Sequence, residues 1–546
     1  MDAGRYVSIA YSYAGDGAYK EEVIEGSVCN SALICREDGS AVTQYLPMYP
    51  IILSYGNLIK GYFGMKVIQI LVSFMSAVTF YVILKRLFGK YETIIALGLM
   101  LFSFNAIQLN YSKEFMTEVF AQSLMLLIVW LYLLNKEKEQ SIITSIAVVL
   151  LSVLFLTKLD AIVISLILPV YYLTRSLHKK SKWDDYFLVL SLLATALFMY
   201  FFSQPYINKT IGGTASRPLP VYILVAVSVA LSFIFILSHT HLISRFKSVS
   251  GWWRKRIALL LALMFMVVSA VVFISTAYTI TTAPITEQNI ELINLVRLNY
   301  FYPVYITIIG LLGLSLLMYR RHSESVVIFI VGILALLPIL ESSHSSPLYW
   351  WSRRYLFITI PVTLLAYCYV IYAGRLNKRV YIALISLTCS AVLITAYMAS
   401  TSFGFIQNRG SDETTRSAFI HIEPDSVIVY SSGYSEVSYL SQLTHRYNID
   451  GYILDSNTMG DVEQVLPLAK YKVIYLANIA NAQDTLKMQI SGHEYVQSNC
   501  TDIHISYERP GAKSLVCADL GLFCSWDTFI SWEDVNNSYK ICEYSR

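Results

Sequence analysis

Long apolar runs recur through the first four hundred residues of the chain and are separated by short polar segments. An apolar helix of roughly 17–25 residues crosses the ~30 Å hydrocarbon core of a bilayer. A composition that is 55% hydrophobic and 14% charged fits the same class. We therefore expect a polytopic α-helical membrane protein. The pattern predicts twelve spans, at residues 66–86, 91–109, 116–134, 141–157, 160–174, 186–203, 219–238, 256–280, 299–319, 325–341, 355–374 and 379–402.

Basic residues alternate with the spans and predict the orientation of the chain. The basic loops are "KRLFGKY", "NKEKEQ", "TRSLHKKSKW", "SRFKSVSGWWRKR", "YRRHSE" and "GRLNKR", and each falls on one side. The positive-inside rule assigns that side to the cytoplasm. Segment 1–46, with three basic and seven acidic residues, and everything after residue 403 are then extracytoplasmic. We also expect a leading apolar helix upstream of Asp2, which would make thirteen spans.

Six of the eight cysteines fall in segments assigned to the outside, and none falls in a basic loop. An even set confined to that side predicts disulfides. We expect one bridge near the start of the chain and two among the last four cysteines, with three possible connectivities left open. The predicted pairs draw on Cys29 and Cys35, and on Cys500, Cys517, Cys524 and Cys542.

Segment 47–63, "PMYPIILSYGNLIKGYF", is too short and too amphipathic to span a bilayer, so we expect it to lie in the membrane interface. Its apolar face comprises Ile51, Tyr55, Leu58 and Tyr62, extended by Ile52, Ile59 and Phe63. Its polar face carries Ser54, Asn57 and Lys60.

The pattern changes after Gly404. "DSVIVYSS" and "YKVIYLANI" are typical of buried strands, whereas "SEVSYLSQLTHRY", "DVEQVLPLAKY" and residues 482–491 predict helices. The stretch 493–526 predicts cross-linked β-structure. Residues 403–546 are therefore expected to form an α/β domain with a partly parallel sheet, and residues 1–402 the membrane domain.

Ionisable residues gather at the predicted outer ends of the spans. Such groups can simply anchor a protein in the interface, with aromatic neighbours forming a belt. Because this set lies on one side, it favours a site in which carboxylates activate a nucleophile and cations hold a phosphate. The candidates are Asp2, Arg5, Lys113, Glu114, Glu118, Lys158, Asp160, His344, Arg353 and Arg354.

Four stretches carry a family resemblance. "DAGRY" resembles the start of the first external loop of GT-C glycosyltransferases, and "YLPMYPIILSYGNLIKGYFG" resembles the helix that closes that loop. "VILKRLFGKYETIIALGLMLFSFNAIQLNYSKEFMTEVF" and "LTKLDAIVISLILPVYYL" continue the pattern. The chain most resembles the protein O-mannosyltransferase and aminoarabinose transferase branch.

The resemblance implies inverting transfer of a sugar from a polyprenyl- or dolichyl-phosphate donor to an acceptor outside the membrane. It implies that Asp2 is the general base and that Glu114 and Glu118 lie at a second acidic site. The donor phosphate would be held by Lys158, Arg353 and Arg354, with Arg5 as a further candidate. Only Lys158 falls within a matching motif.

We therefore expect a multi-pass membrane glycosyltransferase whose partners are the lipid-linked sugar, membrane lipids and a protein, lipid or glycan acceptor. No cofactor and no nucleic-acid partner are predicted, and a divalent metal requirement stays open. The alternatives are a flippase or transporter of lipid-linked glycans, a glycan ligase and a non-catalytic scaffold. A transporter would favour paired repeats and helices broken at mid-membrane, rather than charge at the outer rim.

Overall fold

The computed structural model describes the membrane helices in most detail, together with parts of both polar regions. The described residues are 9–10, 14, 21–22, 33–35, 40–43, 46–113, 115–138, 141–158, 183–202, 302–320, 353–404, 426–431, 450–454, 468, 472–477, 487–490, 493–512 and 530–545.

The helical part is a bundle of apolar helices, as expected for a multi-pass membrane protein. Its helices are α1 Met48–Phe88, α2 Glu92–Ser103, α3 Ala106–Lys113, α4 Thr117–Lys138, α5 Ser141–Phe155, α6 Trp183–Phe202, α7 Val304–Arg320, α8 Arg353–Gly374 and α9 Lys378–Gly404. Among the described residues, four segments are long and apolar enough to cross a membrane: Met48–Phe88, Thr117–Leu134, Leu356–Gly374 and Lys378–Tyr397. The predicted spans 160–174, 219–238, 256–280 and 325–341 lie outside the described residues.

One predicted span is wrong in extent. Residues 91–109 were expected to form one helix, but α2 ends at Ser103 and α3 begins at Ala106. Asn105 makes the break, because its side-chain Oδ1 accepts a hydrogen bond from the backbone N–H of Ile107 at 3.0 Å. Asn favours such caps, since its amide competes with the helical hydrogen bonds of the backbone.

Helix α1 is sharply kinked where the amphipathic segment was expected to end. Lys60 has φ −154° and ψ 38°, and Gly61 has φ 56° and ψ −143°, a conformation that only glycine adopts readily. The two arms then meet closely: a Cβ on Gly64 would lie 2.0 Å from the carbonyl oxygen of Gly56. The two glycines therefore let the first arm fold back against the membrane-spanning arm.

The first arm of α1 exposes several large apolar side chains, and its inward face packs apolar residues together with small or polar ones. Tyr55, Leu58 and Ile59 are 59%, 64% and 82% exposed, whereas Ser54 and Gly56 are buried. Outward apolar residues fit a helix that contacts lipid. The interfacial position of segment 47–63 stays a prediction.

Close packing inside the bundle depends on small and polar residues, as is usual between membrane helices. The hydroxyls of Ser76 in α1 and Ser123 in α4 are 2.6 Å apart, and Ser123 also donates to the carbonyl of Val72. Gly310 and Gly313 of α7 lie against the α8 backbone, where a Cβ on Gly313 would come 2.3 Å from the carbonyl oxygen of Ala366. These contacts set the spacing of the helices that bear the candidate site.

The described parts of the polar regions contain two sheets. Near the start of the chain, β1 Glu21–Glu22, β2 Leu33–Cys35 and β3 Ser40–Thr43 form an antiparallel sheet in the order β1-β3-β2. The C-terminal sheet has the order β5-β4-β6-β9-β8-β7. Its strands are β4 Ser426–Ser431, β5 Asp450–Leu454, β6 Val473–Ala477, β7 Lys487–Ile490, β8 His493–Ala512 and β9 Ile530–Ser545.

The C-terminal sheet is partly parallel, as predicted. Strands β4, β5 and β6 run parallel, and β9 joins β6 antiparallel. The helix expected at 482–491 is wrong, because Lys487–Ile490 is strand β7 paired with β8. There Lys487 and Gln489 are exposed and Ile490 is buried, so the segment alternates with the period of a strand. The two helices predicted at 435–447 and 461–471 fall almost wholly outside the described residues.

Cys500 and Cys542 form a disulfide between directly opposed positions of β8 and β9. This confirms one bridge among the four C-terminal cysteines, and it leaves Cys517 and Cys524 to each other if all four are paired. Those two residues and Cys29 lie outside the described residues, so the Cys29–Cys35 pairing stays a prediction.

Candidate active site at one end of the helical bundle

Two helix ends bring opposite charges together. Glu118 lies in the first turn of α4, and Lys158 lies just beyond the last turn of α5, where its backbone N–H donates to the carbonyl of Leu154. A carboxylate is favoured near a helix N-terminus and a cation near a helix C-terminus. Because α4 and α5 are consecutive and antiparallel, both favourable positions fall at the same end of the bundle.

The two side chains form a buried ion pair. Lys158 Nζ lies 3.1 Å from Glu118 Oε1, and the two side chains are only 10% and 7% exposed. Thr117 Oγ1 donates to the second carboxylate oxygen, Oε2, at 3.3 Å. Breaking a buried pair of this kind by removing one partner is strongly unfavourable, because the other charge is left without compensation.

Helix α8 contributes to the surroundings of the lysine. The Lys158 ammonium lies 4.5 Å from the ring centroid of Phe357, a residue that is 1% exposed. Gln122, four residues beyond Glu118 on α4, donates from Nε2 to the Phe357 carbonyl at 2.9 Å. We call Glu118, Gln122, Lys158 and Phe357 the Lys158 cluster. It joins three helices at one point.

The start of α1 lies beside this cluster. The Met48 backbone N–H donates to the carbonyl of Leu156 at 3.2 Å, two residues before Lys158. The neighbouring Tyr49 is fully buried, and its hydroxyl donates to Gln69 Oε1 at 2.5 Å. The amphipathic arm of α1 is thus attached at the end of the bundle that carries the charged pair.

A second lysine secures the corner between α3 and α4. Lys66 Nζ donates to the carbonyl of Lys113, the last residue of α3, at 2.7 Å, and lies 4.5 Å from the ring centroid of Phe115. A cation suits the free carbonyls at a helix C-terminus. Lys113, a predicted site residue, is therefore held through its backbone near the start of α4.

The structure describes some of the predicted site residues with their side chains, some by their backbone alone, and others not at all. Glu118 and Lys158, predicted for different roles, are brought into direct contact. Arg353 and Arg354 open α8 one turn before Phe357, which places their backbone near the cluster; their side chains lie outside what is described. Asp2, Arg5, Glu114, Asp160 and His344 also lie outside the described residues.

Sequence reasoning missed Gln122, Phe357, Lys66 and Tyr49. The spacing of Gln122 from Glu118 could have identified it, since positions four apart share a helix face. Phe357 gives no such signal within an apolar run. Within the described part of the chain, no group of three or more His, Cys, Asp or Glu side chains could hold a metal ion.

Residues 45–207 match the model of the dolichyl-phosphate-mannose-protein mannosyltransferase family. The GT-C resemblance is confirmed. The matched segment contains α1 to α6 and therefore both partners of the buried ion pair, Glu118 and Lys158. Among curated protein sequences, no match to the chain is found.

Two solved archaeal structures share the fold of this chain. The Archaeoglobus fulgidus oligosaccharyltransferase in complex with zinc and sulfate is 12% identical, with a TM-score of 0.51 over 87% of this chain and 63% of that one. AglB from the same organism, in complex with an inhibitory peptide and a dolichol-phosphate, gives 12% identity and a TM-score of 0.51 over 87% and 65%. ArnT from Cupriavidus metallidurans in the apo state gives 11% identity and a TM-score of 0.36 over 89% and 90%.

At this identity the likeness to the two archaeal structures establishes the fold alone. The chain spans 63% and 65% of their lengths.

Proposed function

We propose that this protein is a GT-C glycosyltransferase that transfers a sugar from a polyprenyl-phosphate-linked donor to an acceptor at the outer face of the membrane. The observation that carries the proposal is the family match over residues 45–207, which contains the buried Glu118–Lys158 pair. A lysine held in a dry site at the end of a membrane bundle suits the phosphate of a lipid whose chain stays in the bilayer.

In the proposed site the donor phosphate is held by several cations. Lys158 is already neutralised by Glu118, so a phosphate that arrives adds net negative charge to a buried place. We therefore assign Arg353 and Arg354 at the start of α8, and Arg5, to supply further positive charge. The guanidinium of arginine suits this role because it can donate two hydrogen bonds to one phosphate.

The proposed reaction is a single displacement. The acceptor hydroxyl oxygen attacks the anomeric carbon of the sugar while Asp2 takes the hydroxyl proton. The bond from that carbon to the phosphate oxygen breaks, and its electrons leave with the polyprenyl phosphate. Attack opposite to the leaving group inverts the anomeric carbon. Glu118 is assigned to orient Lys158, and Glu114 stays a candidate for the second acidic site.

The proposed topology has twelve spans, with residues 1–402 as the transferase domain. Residues 403–546 form an extracytoplasmic α/β domain. The Cys500–Cys542 disulfide supports this side, because disulfides form and persist outside the reducing cytosol.

The test is incubation of the purified protein with radiolabelled polyprenyl-phosphate sugars and candidate acceptors. We expect label on a protein, lipid or glycan acceptor, with an inverted anomeric configuration. Lys158→Met should lose transfer, whereas the matched control Lys85→Met, which removes an exposed ion pair to Glu92, should not.

Two other results would overturn the proposal. Movement of unchanged labelled lipid across vesicles, without transfer, would identify a flippase. Transfer only of preassembled glycans would identify a ligase.

A further inference from the structure

The Lys158 ammonium lies against the face of an aromatic ring that water does not reach. The distance from Nζ to the Phe357 ring centroid is 4.5 Å, and Phe357 is 1% exposed. Attraction between a cation and a ring face is strongest when both are desolvated. With Glu118 on another side, the ring restricts the positions that the ammonium can take.

The place of Phe357 in α8 leaves its backbone carbonyl without a helical hydrogen bond. In an α-helix the carbonyl of residue 357 would accept a hydrogen bond from the N–H of residue 361. Residue 361 is a proline inside α8, and proline has no N–H to donate. The Phe357 carbonyl is therefore left without its helical partner in the interior of the bundle.

Gln122 supplies the missing donor. Its Nε2 lies 2.9 Å from the Phe357 carbonyl oxygen, and Gln122 is 1% exposed. Prolines are tolerated in membrane helices when neighbouring helices satisfy the freed carbonyl in this way. Because Gln122 follows Glu118 by one turn, α4 carries both the counter-ion of Lys158 and the group that fixes Phe357.

We propose that Phe357 is a positioning residue that holds the Lys158 ammonium ready for the donor phosphate, and that Gln122 and Pro361 together fix Phe357 for this task. The inference rests on the proposed function and adds to it the means by which the phosphate-binding lysine is oriented. Phe357 acts through Lys158, so its effect on donor binding requires the lysine.

The experiment measures binding of undecaprenyl phosphate and dolichyl phosphate, and the donor KM and kcat, for a set of purified variants. Phe357→Leu keeps an apolar side chain and removes the ring. We expect it to weaken polyprenyl phosphate binding about tenfold and to raise the donor KM similarly, since a desolvated cation–ring contact is of this magnitude. The change in kcat should be smaller.

The matched control is Phe80→Leu. Phe80 is also fully buried and stacks on Phe102 at 4.4 Å, and no cation among the described residues lies over either ring. We expect Phe80→Leu to lower thermal stability and to leave donor binding unchanged. An equal loss of binding in both variants would mean that general loosening of the bundle explains the effect, and would overturn the inference.

A double-mutant cycle separates positioning from packing. In a Lys158→Met background, Phe357→Leu should cause no further loss of binding, because the cation on which it acts is gone. Additive losses would overturn the inference. If Phe357→Leu binds the lipids as well as the wild-type protein does, only the inference about Phe357 is overturned. If the wild-type protein binds neither lipid, the proposed function is overturned as well.

Discussion

Removal of Lys158 should destabilise the protein far more than removal of a lysine from a surface pair. Lys158→Met leaves the Glu118 carboxylate, whose side chain is 7% exposed, without its partner at 3.1 Å. Breaking a buried pair from one side costs about 3–5 kcal/mol. The cation–ring contact with Phe357 and the favourable position of Lys158 at the end of α5 are lost with it.

The matched surface pair is Lys85 and Glu92, whose side chains are 44% and 65% exposed. Lys85→Met should cost about 0–1 kcal/mol, because water and salt screen exposed pairs. We therefore expect Lys158→Met to lower the Tm in detergent by several times the shift caused by Lys85→Met. Thermal unfolding followed by circular dichroism and by size-exclusion recovery measures both, at one scan rate since membrane proteins often unfold irreversibly.

The double variant Glu118→Gln with Lys158→Met tests the cause. Replacing both charges removes the buried carboxylate that has lost its lysine partner, so most of the lost stability should return. A Tm for Lys158→Met close to that of Lys85→Met would refute the reasoning. So would a double variant no more stable than Lys158→Met alone.

Three further predictions concern other parts of the chain. Asp2→Asn should lower turnover by about 10²–10⁴-fold with the donor bound normally, because Asn cannot accept the acceptor proton; steady-state kinetics with near-normal turnover would contradict it. Gln122→Leu should lower the Tm because it leaves a buried carbonyl unpaired, a loss of about 1–3 kcal/mol, and adding Pro361→Ala should recover most of it by returning the helical N–H. Reduction of Cys500–Cys542, which lie 42 residues apart, should destabilise the C-terminal sheet by about 4 kcal/mol; mass mapping that finds both thiols free in mature protein would remove this expectation.

The membrane helices that the structure describes were predictable because crossing a bilayer demands a length of apolar sequence that is easily recognised. The ends of α4, α5, α8 and α9 fall within a few residues of the predicted spans. The break between α2 and α3 was missed because it depends on one asparagine side chain rather than on proline or glycine. Strand β7 was missed because its pairing with β8 decides its conformation, and local sequence does not record that pairing.

The candidate site was predictable residue by residue but not as an arrangement. Charge at the ends of spans identified Glu118 and Lys158 separately. Their contact depends on the rotation of α4 and α5 about their axes, which the spacing within each helix leaves undetermined. Phe357 was hidden for a different reason: it contributes a ring face and a carbonyl, and neither distinguishes it from other apolar residues of α8.

The Lys158–Glu118 pair carries no net charge. In the proposed site it therefore positions the phosphate, and other residues supply the net attraction. A lone buried lysine would attract a phosphate strongly but would itself be costly to keep in a dry bundle. Pairing with Glu118 lowers the free-energy cost of burying the lysine, but it also removes most of the net attraction between the site and a phosphate. We assign the extra positive charge to Arg353 and Arg354, the first residues of α8, and to Arg5. Because Gln122 and Phe357 tie α8 to the lysine, the same contacts that orient Lys158 also bring the start of that helix to it.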